Sequence, residues 1–280
     1  MDRRAPSSVS FETVEVDGTR LEYEWALPVH PIGRTLVLLH EGLGCIAMWR
    51  DFPKRVADDT GARVLVYSRQ GYGGSAPIPL PRPLTYMHDE GQRVLPALLE
   101  RLGIEDAVLV GHSDGASIAL VYAGSGLSRL RTRGLVLLAP HVFCEEVSVT
   151  SIREARAAFA DGSLRAKLAR YHGDNTDCAF WGWNDAWLDP AFRQWNLEGF
   201  LPNVHIPVLV IQGADDRYGT LAQVDAIERG LAGSFQRVVL EACGHDPARE
   251  ASEPTRRAIA DFVSSVPLLA SPLPLVTSAP

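Results

Sequence analysis

Cysteine is scarce in this 280-residue chain, and its four copies, Cys45, Cys144, Cys178 and Cys243, include no C-x-x-C pair. Without such a pair or a histidine-rich partner segment, neither a zinc site nor a disulfide framework is expected, and buried free thiols are the default. No window approaches 18 uncharged apolar residues, so no membrane-spanning helix and no membrane partner are expected. The opening MDRRAPSSVSFETVEVDG carries charge but no apolar h-region, which points away from a secretory signal and toward a cytoplasmic protein. Lysine and arginine are scattered rather than striped, and the formal net charge is -7, so no nucleic-acid partner is expected. No internal repeat is visible. The glycine-rich Gly71-Tyr72-Gly73-Gly74-Ser75 lacks a following Lys-Ser/Thr, which excludes a phosphate-binding loop of the P-loop type and leaves a structural turn. Nothing in the chain indicates an oligomeric state.

What remains is an ordinary globular balance, 46% hydrophobic and 22% charged, in a chain long enough for a sizeable core. Val9 to Val16 and Arg20 to Leu27 alternate apolar and polar residues around Asp17-Gly18, predicting an antiparallel hairpin. From Thr35 the texture changes to continuous apolar runs: TLVLLH, RVLVYSR, AVLVGHS, GLVLLAP, PVLVIQG and QRVVLEAC. Such runs predict strands of a sheet covered on both faces. Segments of helical spacing lie between them, at Met48 to Asp59, Met87 to Leu102, Ala116 to Ala123, Leu221 to Leu231 and Pro254 to Val263. Strand alternating with helix predicts an α/β fold, a mostly parallel doubly wound sheet. The interval from Phe143 to Asn203 breaks the alternation, with helical texture interrupted at Asp161-Gly162 and four of the six tryptophans, Trp181, Trp183, Trp187 and Trp195. The expected organisation is a core over 1–142 and 204–265, a helical lid over 143–203, and a disordered Pro/Ser-rich tail over 266–280.

The stretch AVLVGHSDG at 107–115 predicts a strand running through a tight turn into a buried helix, with Ser113 at the turn. Glycines two before and two after the serine suit a sterically crowded strand-to-helix turn. A serine hydroxyl is a weak nucleophile at neutral pH, so chemistry there needs an imidazole to take its proton and an acid to orient that imidazole. PVLVIQG runs into Gly213-Ala214-Asp215-Asp216, and the last strand runs into Cys243-Gly244-His245. A serine, a carboxylate and an imidazole therefore come to one edge of the sheet, in the chain order of the hydrolase triad. On the residues alone, either Asp215 or Asp216 could be the acid.

The segments HEGLG, YSRQGYGGS, GHSDGAS, QGADDRYGT and CGHDP resemble the α/β-hydrolase fold superfamily, loosely its carboxylesterases of the pimeloyl-carrier-protein methyl ester type, over Val9 to Val263. The resemblance implies the α/β-hydrolase fold, with an N-terminal antiparallel hairpin and a helical lid, and it selects Asp216 over Asp215. It implies catalytic Ser113, Asp216 and His245. It also implies an oxyanion hole whose donors are the amides of Asp114 and of Gly42 or, if Glu41 is an insertion, Leu43. Glu41 is the clearest departure; a carboxylate aimed into the hole would repel the oxyanion, so it is expected to point away and accept backbone or Arg hydrogen bonds. His40 is expected to stabilise its loop and His112 to shape the turn. His141, Phe143, Trp181, Trp183 and Trp187 are expected to line an apolar substrate pocket. The implied function is a serine hydrolase cleaving an ester of an apolar or aromatic small molecule, with no cofactor and no metal. C-C bond hydrolysis or lactone opening would use the same triad, and a hydrolase fold kept as a non-catalytic ligand-binding protein is the reading from another class.

Overall fold

The computed structural model describes residues 11–126 and 131–267. Eight strands form one sheet: β1 (Glu12–Val16), β2 (Thr19–Ala26), β3 (Thr35–Leu39), β4 (Arg63–Tyr67), β5 (Asp106–His112), β6 (Arg131–Leu138), β7 (Val208–Gly213) and β8 (Phe235–Leu240). Their order is β1-β2-β4-β3-β5-β6-β7-β8; the β1/β2 and β2/β4 pairings are antiparallel and all others parallel. The expected α/β-hydrolase architecture with its N-terminal antiparallel hairpin is therefore found. At the hairpin tip Asp17 and Gly18 both adopt positive φ, 48° and 76°, the backbone that a two-residue turn between right-twisted strands requires.

The continuous apolar runs are explained by two cores. Side chains alternate across a strand, so each run splits between the sheet's faces. Val37, Leu39, Leu65, Leu109, Leu137 and Val210 join one cluster; Leu36, Leu38, Val64, Val110, Val136 and Ile211 join the other. Helices Phe52–Thr60 and Ser252–Ser265 cover the second face through Phe52, Val56, Ile259 and Phe262. Helices Leu95–Arg101, Asp114–Gly124 and Leu221–Gly230 cover the first. The helix expected from Met87 arrives through a wider turn, Glu90–Val94, where Gly91 lies so close to Val121 that a Cβ would come within 2.8 Å of it.

β8 departs from the expectation of a strand covered on both faces. It is the sheet's edge, with Gln236 and Arg237 exposed, and Arg237 pairs with Asp225 at 2.6 Å and Glu228 at 2.6 Å. A charged edge discourages pairing with another chain. The four cysteines are free, but only Cys45 and Cys243 are buried, while Cys144 and Cys178 are half-buried. Among the described residues, no helix is long and apolar enough to cross a membrane.

Residues 143–203 fold as a helical insertion, chiefly helices Glu146–Ala160, Ser163–His172 and Thr176–Leu188. The expected break falls at Gly162, whose φ is 86°. The two ends of the insertion meet in a bridge between Phe143 and Asn196, and the Leu197 amide donates to the Val142 carbonyl at 2.6 Å. Residues 1–10, including the start of the expected first strand at Val9, and residues 268–280 of the expected tail lie outside the described residues.

Candidate active site

β5 delivers Ser113 at the sheet's carboxyl edge with φ 53° and ψ −116°, a conformation that costs a non-glycine residue about 1–3 kcal/mol and persists only where the surroundings impose it. They do so here. A Cβ on Gly111 would stand 2.3 Å from the Gly115 carbonyl oxygen, and one on Gly115 would stand 2.1 Å from that of Leu39. The Ser113 amide donates to the Leu138 carbonyl at 2.9 Å, tying the turn to β6.

The Ser113 hydroxyl lies 2.9 Å from His245 Nε2, and His245 Nδ1 lies 2.8 Å from Asp216 Oδ2 and 2.9 Å from Oδ1. The neighbouring Asp215 is exposed, its amide donating to the Cys243 carbonyl, so the geometry brings Asp216 and not Asp215 to the imidazole. The Asp216 carboxylate also accepts from the Tyr218 amide at 2.7 Å, the Gly219 amide at 3.3 Å and the Gln212 side-chain amide at 2.7 Å. Burial opposes its ionisation, but the His245 and Tyr218 hydrogen bonds lead what outweighs it and bring the pKa down to about 2.

The loop after β3 is fastened from beneath. The fully buried Arg69 guanidinium donates to the His40 carbonyl at 2.6 Å and the Glu41 carbonyl at 3.0 Å. His40 accepts the Arg69 amide proton on Nε2 at 3.0 Å and places Nδ1 2.7 Å from the Glu41 carbonyl. Burial first, and the Arg69 charge second, hold His40 neutral, as a loop stabiliser must be. Because a trans peptide sets its N–H opposite its C=O, the Glu41 carbonyl aimed at Arg69 turns the Gly42 N–H the other way. Among the described residues, neither the Gly42 nor the Asp114 amide donates to a protein acceptor.

The Glu41 carboxylate faces His112, a partner that was not expected, and no Arg donates to it among the described residues. Its Oε2 lies 3.5 Å from His112 Nδ1, and His112 Nε2 lies 2.7 Å from the His245 carbonyl. Burial disfavours a charged His112, yet the Glu41 carboxylate prevails and raises its pKa to about 9. This ion pair joins the loop after β3 to the loop that carries His245.

Above Ser113 lies a chamber of about 130 Å³ bordered by Glu41, Gly42, Leu43, Ser113, Asp114, His141 and His245, and by Ser148, Ile152, Trp183, Trp187 and Tyr218. Of the expected pocket residues, His141, Trp183 and Trp187 border it. Phe143 and Trp181 do not: Phe143 pairs with Asn196 where the ends of the insertion meet, and Trp181 packs edge-on to Phe159 and Phe180 under the Arg156 guanidinium. Trp195 likewise stacks on Phe192 away from the chamber. His141 packs against Trp187 and His245, and burial lowers its pKa to about 3, so it stays neutral. Trp187 Nε1 donates to the Tyr86 hydroxyl at 3.0 Å, which donates to the Asp114 carboxylate, so the insertion is anchored to the residue that follows the serine.

Several of these residues escape sequence reasoning. Ser148 and Ile152 stand four apart, one helical face, but nothing in the chain says where that face looks. Gln212 carried a signal: it is the one polar residue in PVLVIQG. Arg69, Tyr86 and Tyr218 carried none.

The pattern of the alpha/beta hydrolase family matches residues 36–258. The chain belongs to that family. It is similar to a proline iminopeptidase of Lactobacillus helveticus (strain DPC 4571), 33% identical over 87 residues, 31% of this chain, and the match spans only 29% of that relative. Among solved structures it resembles an enol-lactonase from Burkholderia xenovorans LB400, with 22% identity, 90% of this chain and 100% of that one covered, and a TM-score of 0.69. It also resembles an esterase from Exiguobacterium antarcticum, with 20% identity, 91% and 100% covered, and a TM-score of 0.70. At such identities the structural likeness speaks for the fold alone.

Proposed function

We propose that this hydrolase-family chain is a serine esterase that cleaves small apolar or aromatic carboxylic esters through an acyl-enzyme. The observation that carries the reading is the unbroken relay from Ser113 through His245 to a buried Asp216. Asp216 stays ionised and fixes the Nδ1–H tautomer, which leaves His245 Nε2 to accept the Ser113 proton as Oγ attacks the ester carbonyl. The Gly42 and Asp114 amides supply the two donors for the oxyanion, Gly42 being favoured over Leu43 by the orientation of the Glu41 peptide. His245 then passes the proton to the leaving alcohol, and water attacks the acyl-enzyme by the same route reversed. The small chamber, walled by Ile152, Trp183 and Trp187, suits a compact apolar acyl group and would reject a bulky polar one.

A panel of aryl and alkyl esters, lactones and vinylogous diketones tests the reading, alongside an organophosphonate as a covalent label. Preferred turnover of esters and labelling of Ser113 support it. Preferred lactone or C-C cleavage with the label still on Ser113 would keep the triad and replace the substrate class. Absence of turnover and label together would leave a ligand-binding protein.

A further inference from the structure

A second cavity, about 500 Å³, opens behind the His40–Gly44 loop, between helix Ser163–His172 of the insertion and the core. It shares only Glu41 with the chamber above Ser113; the Glu41–His112 pair forms its inner wall. Its body is apolar, with Trp49, Phe52 and Leu168 all buried. Its border is cationic. Five Arg or Lys side chains stand against three carboxylates, in a chain whose net charge is -7.

Those carboxylates are already engaged. Asp51 pairs with Arg55 at 2.7 Å, Glu41 faces His112, and Asp246 caps its helix by accepting the Arg249 amide at 3.1 Å. Arg50, Lys167, Arg170 and the Arg249 guanidinium have no side-chain hydrogen bond or ion pair among the described residues. These four cations are exposed to solvent around one opening, where their summed charge would attract an anion. Trp49 borders the cavity, its ring stacked on Phe52 with centroids 5.6 Å apart.

We propose that this cavity is a second ligand site, distinct from Ser113, that takes an organic anion with a flat apolar body and a carboxylate or phosphate head. The apolar body lies on Trp49, Phe52 and Leu168, and the head meets Lys167, Arg170 and Arg249.

The test uses 1-naphthyl phosphate and 1-naphthoate as probes, with neutral 1-naphthol as the control, titrated calorimetrically into the full chain. Saturable one-site binding of an anionic probe is expected, at least about ten-fold tighter than 1-naphthol and weakened several-fold by raising salt from about 0.05 to 0.5 M. Comparison of the two anions identifies the head group. Lys167→Glu with Arg170→Glu should weaken binding at least ten-fold without changing the melting temperature, and Arg249→Glu should repeat the loss independently. Arg20→Glu and Arg229→Glu, exposed cations away from the cavity, should change nothing. Prior phosphonylation of Ser113 should leave binding intact. The proposal is overturned by absence of saturable binding, by equal losses in the distant variants, or by loss of binding on phosphonylation, which would put the probe in the chamber while leaving the esterase reading standing.

Discussion

The chamber at Ser113 has two walls of different character. One consists of loops at the carboxyl ends of β3, β5, β6, β7 and β8, the other of helices from the 143–203 insertion. On the loop wall the functional groups are placed by strand register and by hydrogen bonds; Asp216 by itself accepts from four donors. On the helical wall, position follows from side-chain packing, and only two of the four tryptophans reach the chamber. The proposed division of labour is that the loop wall sets the chemistry and the helical wall sets which ester fits. Substitutions in the two walls should therefore fail differently.

The largest effect should come from the loop wall. Ser113→Ala should lose on the order of 10⁵ to 10⁶ in kcat with its fold unchanged, because only oxyanion stabilisation and binding remain. Circular dichroism together with ester turnover checks both halves, and substantial residual cleavage would remove the serine from the mechanism. Asp216→Asn should cost about 10³ to 10⁴ by favouring the wrong imidazole tautomer, as in serine proteases, while the exposed Asp215→Asn should cost less than about three-fold. Equal losses would break the assignment of the relay.

The helical wall predicts smaller, selective effects. Trp183→Ala should remove about 1–3 kcal/mol from kcat/KM for a bulky aryl ester and little from an acetyl ester. Trp195→Ala, stacked on Phe192, should instead lower the melting temperature and leave the ratio of the two esters unchanged. Trp187→Ala should do both, since its ring borders the chamber while its Nε1 holds Tyr86. If Trp183 behaves like Trp195, the distinction between the walls fails.

The Glu41–His112 pair predicts an effect on stability with a signed pH dependence. A histidine whose folded pKa is raised to about 9 contributes stability that is fully present below its unfolded value near 6.5 and is lost as pH rises through 9. Glu41→Gln should therefore be less stable than the wild type by roughly 1–3 kcal/mol at pH 6, and the gap should narrow toward pH 9.5. Urea unfolding at the two pH values measures it; a gap that stays constant between them would mean that His112 is neutral.

The contrast between the walls also explains what the chain disclosed. The meeting of Ser113, His245 and one of Asp215 and Asp216 was legible because each follows a recognisable strand, and a parallel sheet carries all such loops to one edge. The choice of Asp216 over Asp215 came from resemblance, and the physical reason, four donors on one carboxylate, emerged only in three dimensions. Trp181 and Phe143 were misplaced because aromatic composition says that a segment is packed, not which ring faces which neighbour. Arg69, which holds the loop after β3, was illegible because a buried arginine signals itself only through the carbonyls it meets. β8 misled because its apolar run reads alike at a covered position and at an edge.

The most direct test of the central claim is intact-mass analysis during turnover of a p-nitrophenyl ester, quenched in acid within the first turnovers. The account predicts a burst of p-nitrophenol, an acyl-mass adduct that peptide mapping puts on Ser113, and no adduct in Ser113→Ala. Steady turnover without any adduct, or an adduct that persists in Ser113→Ala, would contradict it.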